Sequence, residues 1–201
     1  MERNITFTAK FISPVTVKKL ATGGEYIPTT VNAVELSANS KNDLKSLESI
    51  KKLWGKDSYA GEIYEDALFV NDYYEEYRPS FYAITKQKDN FETLQPKDIL
   101  SLAETQTTFG KIKSLDYLQT NPEFLNKFKP TLKQIGSAML GLIENINKGR
   151  RIEVNPASSA RTFYLKHEYK PIQENAHTLY KEVWCFWLHI KIISLIFVCS
   201  I

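Results

Sequence analysis

The sequence predicts an α/β fold in which helices cover both faces of a mixed, largely antiparallel sheet. Segments with alternating apolar and polar residues, typical of half-buried strands, are interspersed with segments whose apolar residues recur at helical spacing. Two of the strand segments are separated only by a polar connection, which is typical of an antiparallel pair. The composition, with 43% hydrophobic and 24% charged residues, is that of a folded globular protein.

The first half of the chain predicts one strand and two helices. Residues 29–37 alternate in hydrophobicity and favour a strand. Residues 39–54 follow as a helix, because Ser40 or Asn42 can cap it and four aliphatic side chains share one face. These four are Leu44, Leu47, Ile50 and Leu53. Residues 58–74 predict a second helix or helix pair, which ends ahead of a proline.

The second half predicts alternating strands and helices. Residues 80–86 and 99–106 predict an antiparallel strand pair, and residues 112–121 predict a longer strand that ends at a proline. The next helix has a buried stripe formed by Ile135, Met139, Leu142, Ile143 and Ile146. The remaining predicted elements are a strand over residues 152–155, a helix over 158–167 and a strand over 169–172.

The chain has no internal repeat or low-complexity linker, so residues 1–183 are predicted to form a single domain. Residues 184–201 are mostly apolar and leave three interpretations open. A terminal strand near residues 184–188, followed by an ill-fitting tail, suits the β-branched and aromatic residues there. A membrane anchor is second, because Lys191 in mid-span would cost about 2.5–3.5 kcal/mol. A frameshifted tail is third, because the composition changes abruptly after Val183.

Charge and cysteine content exclude several classes of protein. The 26 basic and 23 acidic side chains leave a net charge of +3, which gives no nucleic-acid signal. Cys185 and Cys199 provide no disulfide framework for the body of the chain, and this suits a reducing compartment. The N-terminus lacks an apolar core of signal-peptide length, so we expect a cytoplasmic location. The three histidines show no metal-ligand spacing, and no metal is expected.

A glycine at the start of a predicted helix marks a candidate phosphate site. Gly136, Ser137 and Ala138 occupy the first turn, where unpaired backbone N–H groups and the helix dipole favour an anion. Three lysines just before this turn can add positive charge, although a solvated loop is the simpler interpretation of the first two. They are Lys127, Lys129 and Lys133.

This order of elements resembles the GNAT superfamily of acyl-CoA N-acyltransferases, as a divergent member, over residues 29–183. In that family a central strand ends in a hydrophobic-x-Val-x-Pro pattern, which corresponds here to residues 118–122. A pyrophosphate loop follows, with Arg or Gln, two residues, Gly, one residue, and Gly or Ala. One alignment puts Gln134 at the first glycine of this loop. A second alignment, shifted by two residues, puts Lys133 at the Arg or Gln position.

The resemblance implies acetyl-CoA as the acyl donor. Its pantetheine arm would pair with the central strand at Leu118 and Thr120. The implied phosphate contacts are Lys133, Gln134, Ile135, Gly136, Ser137 and Ala138. The family often has an asparagine three residues before the alanine of its next motif. Ala157 stands there in this chain, and Asn155, two places earlier, is the implied substitute.

That next motif, Ala-x-x-x-Tyr, corresponds to Ala160 through Tyr164. In many GNAT enzymes this tyrosine protonates the departing thiolate, so the resemblance implies that Tyr164 is the catalytic acid. Phe163 is interpreted as a core aromatic residue. Glu168 replaces the glycine that ends the family's helix, at a position where a left-handed cap would be natural.

Amine acetylation also needs a base, because the attacking amine must lose a proton. Glu104, near the end of its predicted strand, is the first candidate, and Asp116 is the second. The segment over residues 62–77 concentrates acids and tyrosines, and in this family the region before the second strand often shapes the acceptor site. That composition favours a cationic amine as the acceptor. The alternative interpretation is that the segment is only an exposed helix face.

The sequence therefore predicts an N-acetyltransferase that moves an acetyl group from acetyl-CoA to a primary amine of a small molecule or protein by direct attack. One alternative is a GNAT-like binding or regulatory module without catalysis, which the irregular loop favours. Another is toxin-like acetylation of aminoacyl-tRNA, against which the charge balance argues. A homodimer is among the expected assemblies.

Overall fold

The computed structural model describes residues 8–55, 58–70, 77–125, 128–174 and 176–183. The chain divides into two compact units, Met1–Leu142 and Ile143–Ile201. The predicted single domain over residues 1–183 stays a prediction. The apolar segment over 184–201, with its three interpretations, lies outside the described residues. Within the described ranges, no helix has the length and apolarity needed to span a membrane.

In its described residues, the first unit contains six strands, two complete helices and the start of a third. Its elements are β1 (Lys10–Leu20), β2 (Tyr26–Leu36), α1 (Lys41–Trp54), α2 (Ala60–Leu68), β3 (Tyr77–Thr85), β4 (Ile99–Thr108), β5 (Lys111–Thr120), β6 (Leu132–Lys133) and α3 (Ile135–Ile146). Short 3₁₀ turns occur at Pro96–Asp98 and Pro122–Phe124. The strands lie in the order β6-β1-β2-β3-β4-β5, and every pairing among them is antiparallel.

The part of the second unit that the structure describes, up to residue 183, contains the end of α3 and a small three-stranded sheet. Its further elements are β7 (Arg150–Val154), α4 (Arg161–Lys166), β8 (Lys170–Pro171) and β9 (Leu179–Val183). The order is β7-β9-β8, again antiparallel. The α/β class and the largely antiparallel sheet predicted from the sequence are confirmed.

Most predicted elements are present, with shifted ends. The helix predicted over residues 158–167 is shorter, because 158–160 form a turn ahead of α4. The strand predicted over 169–172 is reduced to β8. Strand β1 is not predicted from the sequence, because Val17 is its one fully buried side chain and a half-exposed strand carries a weak pattern.

Helix α1 forms where the capping signal predicts it. The Ser40 side chain accepts a hydrogen bond from the backbone N–H of Asp43 at 3.2 Å, which confirms Ser40 as the cap. The predicted apolar face is wrong at Leu53, which is 59% exposed. Trp54 is buried instead, because its position on the helix lies closer to that of Ile50.

The core of the first unit lies between α1, α2 and one face of the sheet. Helix side chains such as Ile50 and Ile63 pack with the strand residues Phe81, Ala83 and Leu102. All five are at most 2% exposed. Burial of an Ile, Leu or Phe side chain typically stabilises a fold by about 1.5–3 kcal/mol. This layer therefore fixes which face of the central strands meets α2.

The core of the second unit is smaller. Ile152 and Val154 of β7, Leu179 of β9 and Tyr169 are buried there. The guanidinium of Arg161 in α4 donates hydrogen bonds to the carbonyls of Ala176 and His177, at 3.1 and 2.8 Å. These bonds tie the segment before β9 to α4.

One buried carboxyl links α1 to β2. Asp43 is fully buried, and its Oδ2 accepts a hydrogen bond from the backbone N–H of Ser37 at 2.9 Å. Burial raises the pKa of this carboxyl to about 6, although the Ser37 bond acts in the opposite direction. The folded chain therefore holds a proton at a pH where the unfolded chain has lost it.

We expect this group to make stability depend on pH. Its contribution is fully present below the unfolded pKa of 3.8 and is lost as the pH rises to about 6, because ionisation is unfavourable only in the fold. Asp43→Asn removes this dependence. Urea unfolding at a series of pH values should show that wild type loses stability relative to the variant between about pH 4 and 6. Above about pH 6 the free energies of unfolding of the two proteins should change in parallel with pH. A constant difference across that window would contradict the assignment.

Candidate functional site

The segment before α3 is held on the edge of the sheet. Lys133 of β6 pairs with Lys18 of β1. The backbone N–H of Leu20 donates a hydrogen bond to the carbonyl of Thr131 at 2.9 Å. The approach to the first turn of α3 is thus part of the sheet, and its path is fixed by strand pairing.

The backbone of Gln134 is left-handed. Its φ is +63°, a conformation that glycine adopts without strain and other residues rarely adopt. Its carbonyl accepts a hydrogen bond from the backbone N–H of Ala138 at 2.9 Å, so Gln134 is the residue that leads into the helix. A left-handed position is where a glycine would stand, which favours the loop alignment that places Gln134 at the first glycine.

The first turn of α3 has the chemistry of an anion site. Ile135 is buried, whereas Gly136, Ser137 and Ala138 are half-buried. Backbone N–H groups at the start of a helix are directed toward its end, and the positive end of the helix dipole adds to their attraction for an anion, although the Ala138 amide already donates to the carbonyl of Gln134. With Lys133 and Gln134, these four residues are the phosphate contacts that the resemblance implies, and they follow one another from the end of β6 into the first turn of α3.

Lys133 is positioned by an aromatic ring that sequence reasoning missed. Its Nζ lies 4.0 Å from the centre of the Tyr26 ring, within the range of a cation–π interaction. The Tyr26 hydroxyl donates a hydrogen bond to the carbonyl of Pro130 at 2.8 Å. No local motif could have found Tyr26, because its role depends on the pairing of β1 with β6.

Strand β5 carries two further residues implied by the resemblance. Leu118 lies opposite Ala103 and Thr120 lies opposite Ser101, and both predicted residues are half-buried. The ladder between β4 and β5 has two irregularities, one after Glu104 and one after Gln106. The strand ends at Thr120, and the side-chain N–H₂ of the next residue, Asn121, donates a hydrogen bond to the carbonyl of Ile99 at 3.1 Å.

Asn155 belongs to the second unit. Its side-chain oxygen accepts a hydrogen bond from the hydroxyl of Thr178 at 2.5 Å. That acceptor is therefore engaged within the protein, and the side-chain N–H₂ is the group that could reach a ligand.

Tyr164 lies in an aromatic cluster of the second unit. It is 7% exposed and makes edge-to-face contacts with Phe163 and Tyr169, with ring centres 5.1 and 5.5 Å apart. Phe163 was expected in the core but is only half-buried, and its ring lies 4.7 Å from that of His167. The left-handed conformation expected at Glu168 is present, with φ of +69°.

Glu104 is buried on the face of the sheet that meets α2. Register places it beside Phe81 of β3, a core residue, and opposite Tyr117 of β5. It is 3% exposed, and its Oε2 has no hydrogen-bond partner. Burial, followed by the charge of the neighbouring Asp66, raises the pKa of Glu104 to about 9. At neutral pH this carboxyl therefore holds a proton.

Glu104 is part of a group of four carboxyls, which we term the acidic cluster. Its members are Glu62 and Asp66 of α2, Glu104 of β4 and Asp116 of β5. The two helical members are four residues apart and share one face of α2. Asp116 is the extra residue of a β-bulge, which lies between the pairs Glu104–Tyr117 and Thr105–Leu115.

Aromatic rings accompany the acidic cluster. Partial burial and then the charges of the four carboxyls raise the pKa of Tyr117. The Tyr117 ring lies 5.3 Å from that of Tyr59 at the start of α2. The Ser114 hydroxyl donates a hydrogen bond to Asp116 Oδ1 at 2.6 Å. The cluster thus combines negative charge with π faces, as a cation-binding site does.

The acid-rich segment predicted over residues 62–77 is only partly in this cluster. Glu65 forms an ion pair with Lys51 of α1 instead. The Nζ of Lys51 also lies 5.0 Å from the centre of the Tyr64 ring. Residues 71–76 lie outside the described part of the chain. Among the described residues, no group of three or more His, Cys, Asp or Glu side chains is arranged to hold a metal ion.

Comparison with known proteins identifies the fold. No family model and no curated protein matches the sequence. A solved structure described as a putative acetyltransferase of the GNAT family from Desulfovibrio desulfuricans is similar, with 13% identity and a TM-score of 0.50. The match covers 76% of this chain and 99% of that one.

A second solved structure, a cAMP-binding acyltransferase from Mycobacterium smegmatis, shares 10% identity with a TM-score of 0.40. The match covers 85% of this chain, which spans about half of that protein, 48% of its length. The resemblance read from the sequence is confirmed at the level of the fold. The chain has a GNAT-like α/β fold.

Proposed function

We propose that this protein transfers an acetyl group from acetyl-CoA to a primary amine. The observation that carries the proposal is the start of α3, where left-handed Gln134 leads into a helix N-terminus beside the positioned cation of Lys133. A GNAT-like fold with an anion site at this turn is suited to an acyl-CoA donor. Titration of the full chain with acetyl-CoA, followed by an amine screen that detects thiol release, tests the proposal.

The residues present fit the donor. The first-turn amides and Lys133 would hold its phosphates, and peptide groups around Leu118 and Thr120 would pair with its pantetheine arm. Asn155 would contribute through its side-chain N–H₂, since its oxygen is engaged with Thr178. When bound, acetyl-CoA supplies a thioester whose carbonyl carbon is open to attack by an amine.

Two side chains would manage the protons. The amine nitrogen forms a bond to the carbonyl carbon as the carbon–sulfur bond breaks, and the products are an amide and the free thiol. Tyr164 donates its phenolic proton to the departing sulfur, and Glu104 removes the proton that the amine loses. A cationic acceptor lowers the raised pKa of Glu104 by its charge, so the group ionises as the acceptor binds.

The second candidate function is a GNAT-like binding module without catalysis. A bulky residue in the left-handed loop position favours it, because the side chain of Gln134 limits close approach of a phosphate. The expectations of a homodimer and a cytoplasmic location stay predictions. Growth arrest when the protein is expressed would support the third candidate function, toxin-like acetylation of aminoacyl-tRNA.

Removal of the positioned cation should weaken donor binding. We expect Lys133→Ala to raise the Kd for acetyl-CoA about fivefold, because an exposed charge pair contributes up to about 1 kcal/mol. Lys41→Ala on α1 removes an equal charge elsewhere and should leave the Kd unchanged. Calorimetry with acetyl-pantetheine, which lacks the nucleotide phosphates, should show no effect of either change. Equal losses for the two donors would rule out a phosphate contact.

The left-handed loop residue should respond to glycine. Gln134→Gly relieves the strain of the left-handed backbone at φ +63°. We therefore expect the free energy of unfolding to rise by about 0.5–1 kcal/mol and acetyl-CoA to bind more tightly. Gln134→Ala removes the same side chain but keeps a Cβ, and should give no such stabilisation. Urea unfolding measures the first effect and calorimetry the second. Identical stability of the two variants would refute the strain assignment.

The catalytic acid can be tested by removing one hydroxyl. Tyr164→Phe should lower kcat by about 100-fold or more while acetyl-CoA still binds, because a positioned acid contributes about that factor. Tyr180→Phe in β9 removes a hydroxyl from the same unit and should retain wild-type turnover. Steady-state thiol release and donor titration separate the two effects. A Tyr164→Phe enzyme with unchanged kcat would remove Tyr164 from the mechanism, and a wild type without turnover would favour the binding module.

A further inference from the structure

We propose that Thr178 and Arg161 are positioning residues, which orient the side-chain N–H₂ of Asn155 toward an oxygen atom of the acyl donor. This inference rests on the proposed acetyl transfer, in which Asn155 contacts acetyl-CoA, and adds two residues that act through Asn155. All three residues belong to the second unit. Neither Thr178 nor Arg161 is among the site residues that the resemblance implies.

Strand register brings Thr178 to Asn155. The last pair of the ladder between β7 and β9 is Val154 opposite Leu179, so Asn155 and Thr178 are the next two residues beyond it. Val154 and Leu179 are buried, whereas Asn155 is exposed and Thr178 is half-buried. Because successive side chains of a strand alternate between faces, this outer pair lies on the face away from the core of the second unit. A ligand on that face can reach Asn155.

The Thr178 hydroxyl decides which end of the Asn155 amide is available. It donates a hydrogen bond to the side-chain oxygen of Asn155 at 2.5 Å. The amide is planar, with its oxygen and its N–H₂ on opposite sides, so a bond that holds the oxygen also directs the N–H donors. Without the hydroxyl the amide is free to rotate about a broad, nearly two-fold torsion and to present either end. Only the N–H₂ end complements the carbonyl and phosphate oxygens of acetyl-CoA.

Arg161 holds Thr178 in place through the backbone. Its guanidinium donates hydrogen bonds to the carbonyls of Ala176 and His177, the two residues ahead of Thr178, at 3.1 and 2.8 Å. The carbonyl of Thr178 accepts a hydrogen bond from the backbone N–H of Ile172 at 3.2 Å. Because hydrogen bonds from a charged donor are stronger than neutral ones, the guanidinium restricts the segment that carries the hydroxyl. Arg161 therefore acts on the donor site through Thr178.

The test measures the Kd for acetyl-CoA by calorimetry on the full chain. Thr178→Val removes the hydroxyl at nearly constant shape and should raise the Kd about fivefold, because a neutral hydrogen bond typically contributes a factor of about 2 to 10. Thr178→Ala, which also lacks the hydroxyl, should give a similar loss, and Thr178→Ser should bind as wild type does. In an Asn155→Ala background, Thr178→Val should cause no further loss, because its effect passes through Asn155.

Arg161→Gln tests the second positioning residue. It should also raise the Kd, by about twofold to fivefold, and by the same factor at low and high salt, because the bonds that it removes go to protein carbonyls. Lys166→Gln is the matched control, since it removes an equal charge from the same helix and should leave the Kd unchanged. A loss in Arg161→Gln that disappears at high salt would overturn the positioning role and indicate direct contact with the donor phosphates.

The outcomes separate this inference from the proposed function. If wild type binds acetyl-CoA and Thr178→Val binds it equally well, the positioning role is overturned and acetyl transfer is left intact. Equal losses from Thr178→Val in the wild-type and Asn155→Ala backgrounds would also overturn it, because the hydroxyl would then act on the fold and not on the amide. A wild type that does not bind acetyl-CoA would overturn both proposals.

Discussion

The register between β4 and β5 decides where the candidate groups of the first unit stand. It places Glu104 opposite Tyr117, and the bulge that follows adds Asp116 on the neighbouring strand. A slip of one residue would turn every side chain of one strand to the other face. A slip of β4 would turn Glu104 away from α2. A slip of β5 would turn Leu118 and Thr120 to the opposite face of the sheet. The register is protected because β4 is buried along most of its length, so a slip would expose part of the core.

The same core explains how a carboxyl comes to be buried without a full set of partners. Phe81 and Leu102 pack under α1 and α2, and Glu104 continues their face of the sheet toward Asp66. A buried group lacking a hydrogen bond costs roughly 1–3 kcal/mol, which the surrounding apolar packing can offset. Protonation lowers that cost at neutral pH, and a raised pKa is the consequence. Stability and proton affinity at this site are therefore set by the same burial.

Local signals predicted much of the fold but little of the site. The cap of α1 and the pair β3–β4 followed from short-range patterns, and both are present. Strand β1 escaped prediction because its pairing with β2 and β6 leaves most of its side chains solvated. Tyr26 reaches Lys133 only through that pairing, and the acidic cluster joins α2 to two strands that follow later in the chain. Such groupings depend on long-range register, which no local pattern carries.

The loop before α3 shows how long-range pairing can replace a local glycine. A left-handed residue other than glycine costs roughly 1–2 kcal/mol and persists only where its surroundings fix it. At Gln134 those surroundings are β6 paired with β1, the Leu20 bond to Thr131 and the Tyr26 bond to Pro130. These three contacts, made by four consecutive residues, fix the path of the chain as far as the turn. The left-handed conformation therefore does not depend on which residue stands at the turn. The irregular motif in the sequence is thus compatible with a regular loop, because the N-terminal strand does the positioning.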